Sequence, residues 1–180
     1  MILVAIGSNI CGLHGETSLE MCQKAISLFS VHDSINVMNV SRWYRSAPVP
    51  RTLDQPDFVN GVVALATDLA PDALVRIMQG MEVDAGRVRT VPNAPRPLDL
   101  DLIAYGDLRR VPGDRTGEGV VADLVLPHPR AHERAFVLLP LRDVSPSWRH
   151  PLSGRSIDDL IADLPPQDIE SLEERTASSR

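Results

Sequence analysis

Arg96-Pro97-Leu98-Asp99-Leu100-Asp101-Leu102-Ile103 sets two carboxylates two residues apart inside an otherwise apolar run. Side chains of a strand alternate between faces, so Asp99 and Asp101 point to one side while Leu98, Leu100 and Leu102 point into a core. The two Cα atoms then lie roughly 6.5 Å apart, close enough for both carboxylates to ligate metal ions separated by about 3.5–4 Å. Strands disfavour aspartate, and two on one face repel each other unless a positive charge compensates. Mg²⁺ meets that need most simply, because it takes carboxylate oxygens together with substrate phosphates. The alternative is a solvated strand face paired to arginines.

Upstream of this strand, residues 2–7 form an apolar run closed by the turn-prone Gly7-Ser8-Asn9, which reads as a buried first strand. Leu19, Cys22, Ile26 and Phe29 recur at helical spacing over Thr17 to Phe29, with Thr17 or Ser18 as the cap before Glu20. Residues 35–46 are rich in strand formers and end at Ala47-Pro48-Val49-Pro50, where proline forbids regular pairing. Strand character resumes from Phe58 to Leu65, with Asn60 a lone polar insertion. Ala70-Pro71-Asp72 then opens a second helix. Its stripe is Leu74, Ile77, Met78 and Met81, which leaves Gln79 and Glu82 off the apolar side and ends the helix near Gly86.

With the aspartate strand from Leu98 to Tyr105, the order is βαββαβ. This predicts an α+β, ferredoxin-like core whose antiparallel sheet carries both helices on one face and leaves the other free. C-terminal additions follow. Residues 107–123 read as an extended, mobile loop or hairpin, and a last strand is expected from Val120 to Leu126. Pro129 starts a third helix that turns Phe136, Leu139 and Ala135 inward, and a short helix runs from Ile157 to Leu164. The chain is thus expected to be one domain over 1–165 with a flexible tail over 166–180.

A length of 180 residues with 43% hydrophobic content supports a single core. No run approaches the roughly 20 apolar residues of a bilayer span, and strand-like residues begin at Met1 without a basic leader; a cytoplasmic protein without a membrane partner is expected. Cys11 and Cys22 are too few for a disulfide framework. A net charge of −6 argues against a broad nucleic-acid-binding surface. Among 18 basic residues only Lys24 is lysine, and its Cys22-Gln23-Lys24-Ala25 context excludes a P-loop; the protein-kinase signature set is absent too. Any phosphate must therefore be held by arginine, metal or backbone.

Several segments together narrow the reading. Gly7-Ser8-Asn9, Ser41-Arg42-Trp43-Tyr44-Arg45-Ser46, Gln55-Pro56-Asp57-Phe58-Val59-Asn60, Glu82 through Arg87-Val88-Arg89, Pro95 through Asp101, and Leu126-Pro127-His128-Pro129 followed by Arg134-Ala135-Phe136 occur in that order. Over residues 1 to about 146 the chain resembles the 6-hydroxymethyl-7,8-dihydropterin pyrophosphokinase family.

That resemblance implies transfer of pyrophosphate from ATP to the hydroxymethyl group of a reduced pterin, with release of AMP, in folate biosynthesis. Its implied cofactor is a pair of Mg²⁺ ions between Asp99 and Asp101, and its implied catalytic residues are Arg87, Arg96, Asp99 and Asp101. It places Gln79, Glu82, Arg89, His128 and Arg134 on ATP, where arginine's forked donors suit phosphate. It places Gly7, Ser46, Val49, Phe58, Asn60 and Phe136 on the pterin, the two rings sandwiching its faces and Asn60 reading its edge with the backbone of residues 46–49. Each arginine could instead form a surface ion pair, and both phenylalanines could be ordinary core. The partners expected are the two small-molecule substrates alone, bound by a monomer.

The chain departs from the family where many members carry Trp-Gly before the Pro-Arg pair; here Asn93-Ala94 stands, so no tryptophan lid is supplied. Near residues 107–125, Asp123 and Val125 stand where some members place an arginine and a threonine on the nucleotide. His128 and His132 are four residues apart, but prolines flank His128 and no third zinc ligand is evident. A two-metal polymerase-like palm and a non-enzymatic ligand-binding module are the competing readings. The acidic charge speaks against the first, and the aspartates and arginines against the second.

Overall fold

The structure, a computed structural model, describes residues 1–50, 55–87, 94–113, 121 and 124–172. Its elements are β1 (Ile2–Ser8), α1 (Ser18–Ser30), β2 (Asn36–Val40), β3 (Tyr44–Ser46), β4 (Phe58–Ala66), α2 (Pro71–Asp84), β5 (Asp99–Tyr105), α3 (Ala135–Val144), α4 (Ile157–Ala162) and β6 (Ile169–Ser171). All strand pairs are antiparallel, in the order β5-β1-β4-β3-β6, with β2 lying beside β3 along β4. Counting β2 and β3 together, the chain follows the expected β-α-β-β-α-β order through β5.

The long second strand predicted over 35–46 is two strands. At the break, Ser41 Oγ accepts from Val62 N–H at 2.9 Å while Ser41 N–H donates to the Val62 carbonyl at 3.0 Å. A serine hydroxyl thus takes a ladder bond that a backbone carbonyl would otherwise make, and the strand restarts at Tyr44.

One face of the sheet packs Ile2, Val4, Ile6, Val63, Leu65, Leu100 and Leu102 against Met21, Cys22, Ala25 and Phe29 of α1 and Leu74 and Met78 of α2. Thr17 caps α1 as expected: its hydroxyl accepts from Glu20 N–H at 3.3 Å, and Glu20 Oε2 accepts from Thr17 N–H at 2.8 Å. The opposite face, expected to be free, is covered over half its length. Leu3, Val62, Ala64 and Ile103 pack there on Val137, Leu138, Leu141 and Val144 of α3 and on Ile157 and Leu160 of α4. Leu139, expected inward, is half-buried. Strand apolarity on both faces demands this second layer.

Other expectations are corrected at the C-terminal side. Pro129 opens a turn and a short 3₁₀ helix (Ala131–Glu133), and α3 begins only at Ala135. The described part of 120–126 forms a single bridge, Leu126 to Arg110, rather than a strand. Residues 166–172, expected to fray, are anchored by β6 pairing with β3. Residues 114–120, 122, 123 and 173–180 lie outside the described residues, as do Arg89, Asn93 and Asp123, on which the sequence expectations bore. Among the described residues no helix is long and apolar enough to cross a membrane.

Candidate active site

Alternation along three neighbouring strands builds the site. Asp99 and Asp101 of β5, Ala5 and Gly7 of β1, and Phe58 and Asn60 of β4 share the sheet face that α3 half covers. Gly7 sits in register between Asp99 on one side and Asn60 on the other, and Ala5 pairs with Asp101. A Cβ at Gly7 would lie 3.4 Å from Asn60 Oδ1 and 3.9 Å from Asp99 Cβ. Glycine there leaves open the floor between the carboxylate and the amide.

Above this floor is a cavity of about 230 Å³. Arg87, Arg96, Asp99, Asp101, His128 and Arg134 supply its charged and imidazole lining. Ser46, Val49, Phe58, Asn60 and Phe136 line it too, and Gly7 sits in register between Asp99 and Asn60. Gln79 and Glu82 are not among its lining residues. Val49 is 57% exposed at the rim, and Asn60 Nδ2 donates to Ser46 Oγ at 2.9 Å, which orients the amide.

Asp99 is the hub of the charged part. Its Oδ1 accepts from Arg87 Nη1 at 2.8 Å and from Arg96 Nη1 at 3.0 Å. Arg96 is placed by Asn9, whose Oδ1 accepts from Arg96 N–H at 2.8 Å and whose Nδ2 donates to the Pro56 carbonyl at 3.3 Å. Arg87 is placed by the end of α2. Gly86 adopts φ of +91°, and the turn closes with Arg87 N–H on the Glu82 carbonyl at 3.0 Å and Gly86 N–H on the Val83 carbonyl at 2.9 Å. This paired closure needs a left-handed residue that glycine supplies without strain, and it folds Arg87 back over Glu82.

Glu82 lies behind the cavity wall rather than in it. It is 2% exposed, pairs with Arg87, and accepts from Leu100 N–H at 2.8 Å, the residue between the two aspartates. Its position off the apolar stripe marks a buried polar brace, not a solvated side chain.

The Asp101 carboxyl receives no hydrogen bond from the described residues. Burial first, then the neighbouring Asp99 charge, push its carboxyl up to about 6, against an opposing pull from Arg134. Arg134 stacks its guanidinium 5.4 Å from the centre of the Phe136 ring. His128 is set by a bulge: Leu3 pairs with Ala104 and Val4 with Leu102, so Ile103 is the extra residue, and its carbonyl accepts from His128 N–H at 2.8 Å. Burial, together with Arg134 and Arg130, lowers the His128 imidazole to about 4, so it is neutral at pH 7. Its Nδ1 accepts from Arg130 N–H at 3.2 Å, which leaves the proton on Nε2 as a donor. His132 instead packs its ring edge-on to His150, 5.6 Å between centres.

Sequence reasoning missed Asn9 as a brace, although the Gly7-Ser8-Asn9 turn holding it was visible; no local signal pointed to Ala5 as wall, whereas Ala47 and Pro48 lie within the 46–49 segment that resemblance had placed at the pterin edge. Chemically, a carboxylate pair ringed by arginines is suited to binding a cation with phosphate oxygens. The described residues contain no group of three or more His, Cys, Asp or Glu side chains that could hold a metal ion. Two carboxylates with phosphate completing the shell is how Mg²⁺ is commonly bound.

Residues 3–146 match the family described as 7,8-dihydro-6-hydroxymethylpterin-pyrophosphokinase. A 2-amino-4-hydroxy-6-hydroxymethyldihydropteridine pyrophosphokinase of Pseudomonas aeruginosa is 38% identical, covering 95% of this chain and 96% of its own. One from Synechocystis is 38% identical over 88% of this chain and 73% of its own. The folic acid synthesis protein fol1 of Schizosaccharomyces pombe is 35% identical over 92% of this chain, which spans 21% of that longer protein. In structure, a Plasmodium falciparum HPPK-DHPS superposes with a TM-score of 0.66 at 11% identity, covering 89% of this chain and 42% of that one, a likeness of fold. Because the family match spans residues 3–146, the aspartate strand and Phe136 included, and a relative matched over 96% of its own length is 38% identical, this chain belongs to the 7,8-dihydro-6-hydroxymethylpterin-pyrophosphokinase family, a family of diphosphotransferases.

Proposed function

We propose that this protein transfers the terminal diphosphate of ATP to the hydroxymethyl oxygen of 6-hydroxymethyl-7,8-dihydropterin, giving AMP and the pterin diphosphate for folate synthesis. The observation that carries the reading is what one cavity brings together: Asp99, Asp101 and three arginines with two phenylalanines and the Asn60 amide. The hydroxymethyl oxygen attacks the β-phosphorus, the bond to the α-phosphate bridging oxygen breaks, AMP departs, and the hydroxyl proton leaves to solvent.

The residues present fit Mg²⁺: Asp101 carries a carboxyl that no described group hydrogen-bonds, beside a second carboxylate. Asp99 and Asp101 would hold two ions, which supply neutralisation of phosphate charge and alignment of the reacting oxygens. Arg87 and Arg96 exchange the Asp99 carboxylate for phosphate oxygens when ATP binds, and Arg134 and the His128 Nε2–H donate to others. Arg89 is assigned to ATP by family resemblance. Phe58 and Phe136 cover the pterin faces, Asn60 and Ser46 its edge, and Val49 the rim. Glu82 acts through Arg87, and Gln79 is left without a contact in the cavity. We read the protein as a cytoplasmic monomer.

The test is AMP formation from ATP and Mg²⁺ with and without 6-hydroxymethyl-7,8-dihydropterin. Pterin-dependent release supports the reading; a folded protein that binds ATP but releases no AMP rejects it.

The raised Asp101 carboxyl predicts a pH signature. The unfolded chain loses this proton near the ordinary value of 3.8 and the folded chain near 6, so between them the folded state holds the extra proton. On this account the metal-free protein loses stability as pH rises from about 4 to about 6, by on the order of 3 kcal/mol. Mg²⁺ should raise the melting temperature at pH 7.5 and much less at pH 5. Asp101→Asn should remove both effects; melts that respond to Mg²⁺ equally at the two pH values would contradict the assignment.

A further inference from the structure

Helix α3 starts without a cap of its own: Arg134 holds the N-cap position, and its side chain makes no capping hydrogen bond. A helix start leaves backbone N–H groups in need of acceptors. Gln167, from the far end of the chain, provides one. Its Oε1 accepts from Ala135 N–H at 2.9 Å, and its Nε2 donates to the Glu133 carbonyl at 2.9 Å. One amide therefore holds the backbone on both sides of Arg134.

The same segment holds the opposite wall. The Asp168 carbonyl accepts from Ala47 N–H at 3.1 Å, and Ile169–Ser171 pairs with Tyr44–Ser46. Between these ties lies a second cavity of about 250 Å³, bounded by Phe136, residues 46–49 and residues 166–169. Phe136 thus borders open space on that side. Its other side packs against the core under α3, and the Gln167 hydrogen bonds fix the backbone from which both Phe136 and Arg134 project. Only a side-chain amide offers an acceptor and a donor at this spacing; glutamate lacks the donor, methionine both. Gln167 also lies beyond residues 3–146, the span of the family match.

We propose that Gln167 is a positioning residue for diphosphate transfer, bracing the start of α3 so that the Arg134 guanidinium and the Phe136 ring face the bound substrates. The inference rests on the functional reading above. Its mode of action is geometric, since small displacements of groups facing the reacting centre carry large rate penalties.

The experiment compares the full-length protein with Gln167→Met and Gln167→Glu at a temperature well below their melting transitions. It measures kcat, both KM values, and pterin affinity by fluorescence titration. The expected result is a graded loss, wild type above Glu above Met, with kcat for Met roughly tenfold down and pterin binding weakened severalfold. A contact that merely stabilises the fold would lower the melting temperature and leave kcat and pterin affinity at wild-type values, which would overturn the proposal. Should the Met variant fail to fold, the Glu variant decides by the same two readouts. Wild-type protein that releases no pterin-dependent AMP overturns the functional reading and this inference with it, whereas active wild type with unaltered variants sinks only the role of Gln167.

Discussion

Replacing Asp99 and Asp101 together by alanine is expected to leave a folded protein whose diphosphate transfer falls roughly 10³-fold or more, about 4 kcal/mol of transition-state stabilisation. Folding survives because each arginine keeps another partner: Arg87 retains Glu82, and Arg96 Nε still donates to the Ala94 carbonyl at 3.1 Å. Losing Asp101 also removes a carboxylate that burial penalises, so the metal-free double variant should melt no lower than wild type. Activity collapses because the cavity then presents Arg87, Arg96 and Arg134 to phosphate without the carboxylates that would hold Mg²⁺. Steady-state AMP release and a thermal melt check both halves. Activity within tenfold of wild type would show that the paired aspartates are not the metal site.

Glu82→Ala should be the most destabilising single change at the site, costing about 3 kcal/mol in urea unfolding. Glu82 is 2% exposed, and its carboxylate serves the buried Leu100 N–H and the partly buried Arg87 guanidinium. Alanine leaves the first without this acceptor between Asp99 and Asp101 and deprives the second of a charge partner. Glu82→Gln keeps an acceptor for Leu100 and should cost roughly 1 kcal/mol. Both should lower kcat, because Arg87 loses the brace opposite Asp99, and alanine should do so the more. Unfolding of the alanine variant within 1 kcal/mol of wild type would show that Glu82 is not the brace described.

These expectations draw on both levels of the molecule. The aspartate strand was legible because alternation is a local rule: once Leu98, Leu100 and Leu102 are assigned to the core, Asp99 and Asp101 must share the other face. Thr17-x-x-Glu20 marked the start of α1, and Pro71 that of α2, for equally local reasons. The long helical and strand periods and the order of elements therefore followed from sequence, and resemblance singled out Arg87, Arg96 and Arg134, which line the cavity.

What sequence by itself could not decide was which groups meet across the fold. Glu82 reads as a residue off an apolar stripe, and only the approach of β5 makes its carboxylate an acceptor for Leu100 N–H. Residues 35–46 read as one strand, and only the pairing with β4 lets the Ser41 hydroxyl take the Val62 N–H and break it. Residues 166–172 read as a polar tail. Their anchorage depends on backbone groups of β3 and on the uncapped start of α3, partners more than thirty positions away to which no spacing rule points. Hydrogen-bond satisfaction is settled by tertiary proximity, whereas burial periodicity is written along the chain.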